Sequence, residues 1–148
     1  MMNSHLVTNV NDYNHMMQNL KGKADLGIDT ESNSLFAYRE QVCLVQVSSA
    51  THDFLIDPFP LDGMEELGAL FADPGVQKIF HAGDYDIACL KRDYEYQFAN
   101  LFDTMLAAAT LGEANLGLAS ILEKYLGVSL EKKYQRADWG KRPIKTEM

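Results

Sequence analysis

The sequence predicts one α/β domain built on a mixed sheet, and three observations carry that expectation. Segments with strand-like alternation interleave with segments of helical period along the whole chain. The early strands follow one another closely, as hairpins do, whereas the later ones are separated by helices that suit crossover connections. No repeat, low-complexity stretch or Pro/Gly-rich linker divides the 148 residues, and a chain of that length can bury a real core.

The predicted order is βαβββαβαβαα. Residues 11–20 place Tyr13, Met16, Met17 and Leu20 at helical spacing, with Asn11 as the expected cap. Residues 24–30 read as a strand that enters the core through Leu26 and Ile28. Residues 41–48 are apolar on nearly both alternating faces, the mark of a strand covered on each side. His52–Ile56 is a further strand, stopped by Asp57-Pro58. Residues 65–71 form a short amphipathic helix through Leu67, Leu70 and Phe71, and Gln77–Phe80 a short strand. Asp84–Tyr94 is a helix with Ile87, Leu90 and Tyr94 on one stripe and Asp84 placed to cap it. Leu101 and Phe102 lead into a helix over residues 103–111. Leu118–Leu126 is the last helix, closed by Gly127.

Composition narrows the function. Hydrophobic residues make up 47% and charged residues 23%, ordinary values for a globular protein. No apolar run approaches the roughly 18 residues of a membrane span, and the N-terminus lacks a signal-peptide layout, so a cytoplasmic location is expected. Cys43 and Cys89 read as buried thiols, outside any zinc-ligand spacing. A net charge of −8 argues against a broad basic surface for nucleic acid. The charge is uneven, however: Lys132, Lys133, Arg136, Lys141, Arg142 and Lys145 face only Glu131, Asp138 and Glu147 in the final segment. That tail is either a phosphate-contacting strip or a solvated surface segment. The acidic body could hold a polyanion if some of its carboxylates bind divalent cations.

Three constellations could carry chemistry. Asp29-Thr30-Glu31 closes its strand with two carboxylates on one face, where they repel unless a cation or a shared proton lies between them. Hard oxygen donors of this kind suit Mg²⁺ or Mn²⁺; the alternative is a polar strand end. In the run from Phe80 to Asp86, a strand gives way at Gly83 to a helix whose first turn holds Asp84 and Asp86, either as dipole-complementing acids or as ligands. Asp103-Thr104 opens a helix in the manner of an N-cap. His81 has a plain reading as a core histidine, and His5, His15 and His52 show no ligand spacing.

Taken together these segments resemble the ribonuclease D-like 3′-5′ exonucleases of the DEDD superfamily. The residues that carry the likeness are Leu26 to Glu31, Cys43 to Ser48, Leu55 to Pro58, Lys78 to Asp86, Phe102 to Thr104, and Ala119 to Gly127 followed by Asp138-Trp139 and Arg142-Pro143. The resemblance covers nearly the whole chain in order and spacing. It implies a ribonuclease-H-like fold with a mixed central sheet flanked by helices. It also implies two-metal hydrolysis of phosphodiester bonds at a single-stranded 3′ end, with two Mg²⁺ or Mn²⁺ ions about 4 Å apart. Asp29 would bridge the ions, Glu31 would hold the one bearing the attacking water, and Asp86 would anchor the other. Leu35, Phe36 and His81 are further candidates for substrate contact, the first two by stacking against a terminal base.

The family's last motif is Tyr-x-x-x-Asp on a helix soon after the final Arg-Pro. This chain reaches Met148 without it, so a domain lacking its C-terminal helix, with impaired activity, is expected. Tyr134 and Asp138 match the motif formally, but Asp138 belongs to the Asp-Trp element upstream, so the match reads as coincidence. Two other functions compete: a catalytically dead module that binds nucleic acid or a protein partner, and an unrelated Mg²⁺-dependent phosphatase or nucleotidyl transferase. An open side left by the missing helix would expose apolar surface that dimerisation could cover.

Overall fold

The computed structural model describes residues 3–130 and 134–144. Its elements are β1 (Asn3–Val7), α1 (Val10–Leu20), β2 (Asp25–Ser32), β3 (Val42–Ser48), β4 (His52–Ile56), α2 (Glu65–Ala72), β5 (Gln77–Phe80), α3 (Asp84–Tyr94), β6 (Leu101–Asp103), α4 (Thr104–Thr110) and α5 (Leu118–Leu126). This is the order that the periodicity predicts. Two caps differ. Asn9, not Asn11, caps α1, accepting the Asp12 amide on its side chain. Asp84 is the first helical residue of α3, and the cap position is Gly83, without a side-chain hydrogen bond. In both cases spacing located the helix and missed which flanking residue leaves helical geometry.

The six strands form one sheet in the order β1-β4-β3-β2-β5-β6. β2, β3 and β4 pair antiparallel, whereas β1 joins β4, β5 joins β2 and β6 joins β5 in parallel. The mixed sheet is therefore hairpins on one side and crossovers on the other, the α/β architecture of the ribonuclease-H-like class. One face buries Leu26, Ile28, Val45, Val47, Phe54 and Ile56 beneath Tyr13, Met16 and Leu20 of α1, Leu67 and Phe71 of α2, and Cys89 and Leu90 of α3.

The opposite face carries a second cluster in which Cys43 and Leu44 pack against Trp139, flanked by Leu55, Tyr134, Ala137 and Ile144. A register shift makes this possible. Glu31 pairs with Leu44 and Ser32 with Val42, so Cys43 is the extra residue of a bulge. It turns toward the second cluster while Val42 joins the first. Arg142 pins the covering segment down: Nη2 donates to the Cys43 carbonyl and to Asp57 Oδ1, each at 2.8 Å, and its guanidinium stacks 4.2 Å from the Phe59 ring. Nε lies 2.7 Å from Asp57 Oδ2, an ion-pair contact too bent to count as a hydrogen bond. Arg142 is thus committed to the fold, while Lys132, Lys133 and Lys145 of the basic tail lie outside the described residues. At the far side of the sheet, α5 has no buried residue.

Candidate active site

β2 sits between β3 and β5 in the sheet, and its alternation divides its side chains between the two faces. Leu26 and Ile28 enter the helix-covered core, so Asp29 and Glu31 point the other way, across from Gln46 and Leu44 of β3. The Gln46 amide donates to Asp29 Oδ2 at 3.4 Å. Asp86 arrives from the first turn of α3 and is buried. Its Oδ1 accepts two hydrogen bonds from Thr30, at 2.9 Å from the amide and 2.6 Å from the hydroxyl. The side chain that alternation sends away from Asp29 and Glu31 is thus the one that fastens the third carboxylate to their strand.

The turn from β5 into α3 fixes where Asp86 lands. Its left-handed residue is Ala82, at φ 57°, rather than Gly83. Gly83 is required for close approach: a Cβ there would lie 2.4 Å from the Phe80 Cβ. Asp103 braces the same turn, accepting from the Ala82 and Gly83 amides at 3.2 and 2.9 Å while capping α4 through Met105 and Leu106. Burial alone would raise the Asp103 carboxyl, but those four donors outweigh it and hold it below its ordinary range. The sequence suggested only a cap at this position. His81 joins the brace as well, with Nδ1 2.8 Å from Thr104 Oγ1, whose proton goes to the Phe80 carbonyl at 3.1 Å. A hydroxyl with its single proton committed must accept, so Nδ1 carries the hydrogen and Nε2 the lone pair.

The three carboxylates perturb one another. Burial, followed by the charge of Asp86, pushes Asp29 up to about 6. Burial, then Asp29 and Asp86, pushes Glu31 up to about 7. Asp86 is raised by burial against the opposing pull of its Thr30 hydrogen bonds. Asp29 nevertheless keeps an open side to solvent, so the group is reachable. None of the ion pairs among the described residues involves these three acids.

Such an uncompensated cluster of hard oxygen donors fits a divalent cation such as Mg²⁺ or Mn²⁺. It is not a closed cage: among the described residues no three His, Cys, Asp or Glu side chains converge on a single ion position. Asp86 Oδ1 is already doubly used, so Oδ2 is the oxygen with lone pairs to spare.

Residues 33–41 form a loop beside the cluster. Leu35 and Phe36 stand 68% and 55% exposed on it, and Tyr38 is fully exposed. The loop is strapped to α3, because Glu40 accepts from Ser32 Oγ at 3.0 Å and pairs with Arg92 at 2.8 Å. Asp93 takes the Val42 amide at 2.7 Å. Sequence reasoning missed this strap, since its partners lie about fifty residues apart. Tyr134 packs in the Trp139 cluster. Asp138 accepts the Gly140 amide and lies 3.7 Å from Lys141 Nζ.

An acidic cluster on the central strands of a mixed α/β sheet, with a third acid from the following helix, defines the class of ribonuclease-H-like nucleases. Within that class the chain belongs to the 3′-5′ exonuclease family, whose model matches residues 4–148. It is 37% identical over 134 residues to the Caenorhabditis elegans exosome complex component 10 homolog, covering 90% of this chain and 15% of that protein. The catalytic core of RRP6 from Trypanosoma brucei superposes with a TM-score of 0.92 at 32% identity, over 100% of this chain and 41% of the other. Escherichia coli RNase D, described as an exoribonuclease involved in structured RNA processing, gives 0.90 at 30% identity over 99% and 39%. The chain therefore spans a minor part of each of these relatives.

Proposed function

We propose that this domain removes nucleotides from the 3′ end of single-stranded RNA or DNA, using Mg²⁺ or Mn²⁺ held by Asp29, Glu31 and Asp86. The observation that carries the reading is the mutual elevation of three carboxylates with no cationic side chain to neutralise them. The kinship with RNase D and RRP6 supports it.

Bound divalent ions would supply the Lewis acidity that activates water and stabilises the leaving 3′ oxygen. The chain's own part is positioning. Asp29, open to solvent and steadied by Gln46, is the shared ligand. Glu31 is the acid best placed by its raised pKa to hold or release a proton near neutrality. Asp86, locked to Thr30, holds the opposite side of the site. Leu35 and Phe36 offer apolar surface to the last bases, where stacking needs no particular sequence.

A second reading has its own observation. Among the described residues no fourth carboxylate joins the cluster: Asp103 is consumed by four backbone amides, and Asp138 turns to Gly140 and Lys141. Nuclease activity of this chain by itself is accordingly expected to be low, and a module that only binds nucleic acid is the alternative.

The test is a gel assay on a 5′-labelled single strand with Mn²⁺ or EDTA, with Asp29→Ala as control. A metal-dependent ladder shortening from the 3′ end and lost in the control is the expected result for the exonuclease. Metal-dependent binding without a ladder would favour the binding module. Neither binding nor cleavage would refute both.

A further inference from the structure

The sequence left His5, His15 and His52 unassigned, and the fold brings them together. β1 and β4 pair in parallel with His5 opposite Phe54 and Asn3 opposite His52, so the rings of His5 and His52 share the sheet face of Phe54. α1 lays His15 over the same spot. The His5 ring centroid lies 5.9 Å from that of His15 and 5.7 Å from that of His52. His5 and His52 both stack on Phe54, at 5.5 and 5.9 Å. This is the face opposite Asp29 and Glu31, so the cluster is separate from the carboxylate site.

We propose that His5, His15 and His52 bind one borderline transition-metal ion, such as Zn²⁺ or Ni²⁺. The nitrogen that points to a ligand is His5 Nε2, which is buried without a hydrogen-bond partner. A polar atom left in that condition is costly, and a coordination bond would satisfy it. His52 Nδ1 lies 2.9 Å from Thr51 Oγ1; when it donates there, Nε2 is the free lone pair, the outer-shell arrangement that orients ligating imidazoles. His15 is exposed, which gives the ion a way in, and its Nε2 has only a long 3.3 Å contact with the Asn19 amide to give up.

Spacing is consistent with a shared ion. With metal–nitrogen bonds near 2.0 Å, two imidazoles on one tetrahedral centre have ring centroids about 5 Å apart. The observed separations exceed that by less than about 1 Å, yet the nitrogens do not converge as the rings stand, so binding requires side-chain rotation. The donors also set the metal: imidazole selects Zn²⁺, Ni²⁺ or Cu²⁺, whereas the carboxylates select Mg²⁺ or Mn²⁺. None of the ion pairs among the described residues involves a histidine, so no carboxylate already holds these rings.

Calorimetric titration of the chelator-stripped protein with Zn²⁺ and Ni²⁺ tests this, in an Asp29→Asn, Glu31→Gln background that removes the competing acids. One ion per chain is expected, undisturbed by millimolar Mg²⁺, with affinity at least tenfold weaker in His15→Gln and in His52→Gln. Both substitutions are at positions with solvent access, and unchanged far-UV circular dichroism certifies the fold. Saturating Zn²⁺ is also expected to raise the melting temperature by roughly 5–10 °C at 100-fold excess over Kd. Absence of binding, or binding indifferent to both substitutions, would overturn the proposal.

Discussion

Replacing Glu31 by Gln is expected to stabilise the ion-free protein at alkaline pH, although it deletes a residue of the active site. Glu31 has its pKa pushed from 4.5 up to about 7 by burial and by the charges of Asp29 and Asp86. The native state therefore holds a proton that the unfolded chain has released, and stability falls as pH rises through that window. At 1.36 kcal/mol per pH unit the displacement corresponds to roughly 3 kcal/mol. Glu31 is only half-buried, so solvent screening reduces this to about 1–2 kcal/mol. For a chain of this length that is about 3–6 °C in melting temperature. Thermal unfolding in EDTA at pH 5 and pH 8 reads it directly. The variant should match wild type at pH 5 and exceed it at pH 8, while Mn²⁺ at pH 8 should stabilise wild type more than the variant. The difference between the two proteins cancels whatever the histidines contribute over the same range. A variant less stable than wild type at pH 8 in EDTA would refute the claim that unneutralised carboxylates strain this site.

Two further substitutions test the frame around it. Arg142→Ala leaves Asp57, which is 5% exposed, without its partner and frees the Trp139 segment; a loss of about 3–5 kcal/mol in urea unfolding is expected. Gly83→Ala forces a Cβ into the Phe80 side chain, which should cost about 1–3 kcal/mol and displace Asp86, so Mn²⁺-induced stabilisation should fall along with the melting temperature.

What could be read from the sequence followed its local periodicities. Alternation in β2 put Asp29 and Glu31 on one face, and apolar residues on both sides of β3 foretold its double coverage. Residues remote in sequence were not legible in the same way. Arg142 meets Cys43 and Asp57 across 99 and 85 positions, and nothing local to an arginine in a basic tail marks it as buried. Lys78 is fully buried in β5, its ammonium capped by the carbonyls of Asp73 and Val76 at 2.6 Å, although its type predicts exposure. The three histidines lack a ligand spacing because parallel pairing of β1 with β4, rather than sequence neighbourhood, makes them adjacent.

The placement of β2 also fixes how the molecule breathes. Its backbone is bonded on one side to β3 and on the other to β5, so its amides are expected to exchange with solvent only when the whole sheet opens. α5, with no buried residue, is at the other extreme and can unfold on its own at little cost. Deuterium uptake should therefore divide the chain into a slow strand that carries two of its three acids and a fast C-terminal helix. A partner that docks on α5 would be visible as slowed exchange there, with the strand beneath Asp29 and Glu31 unaltered.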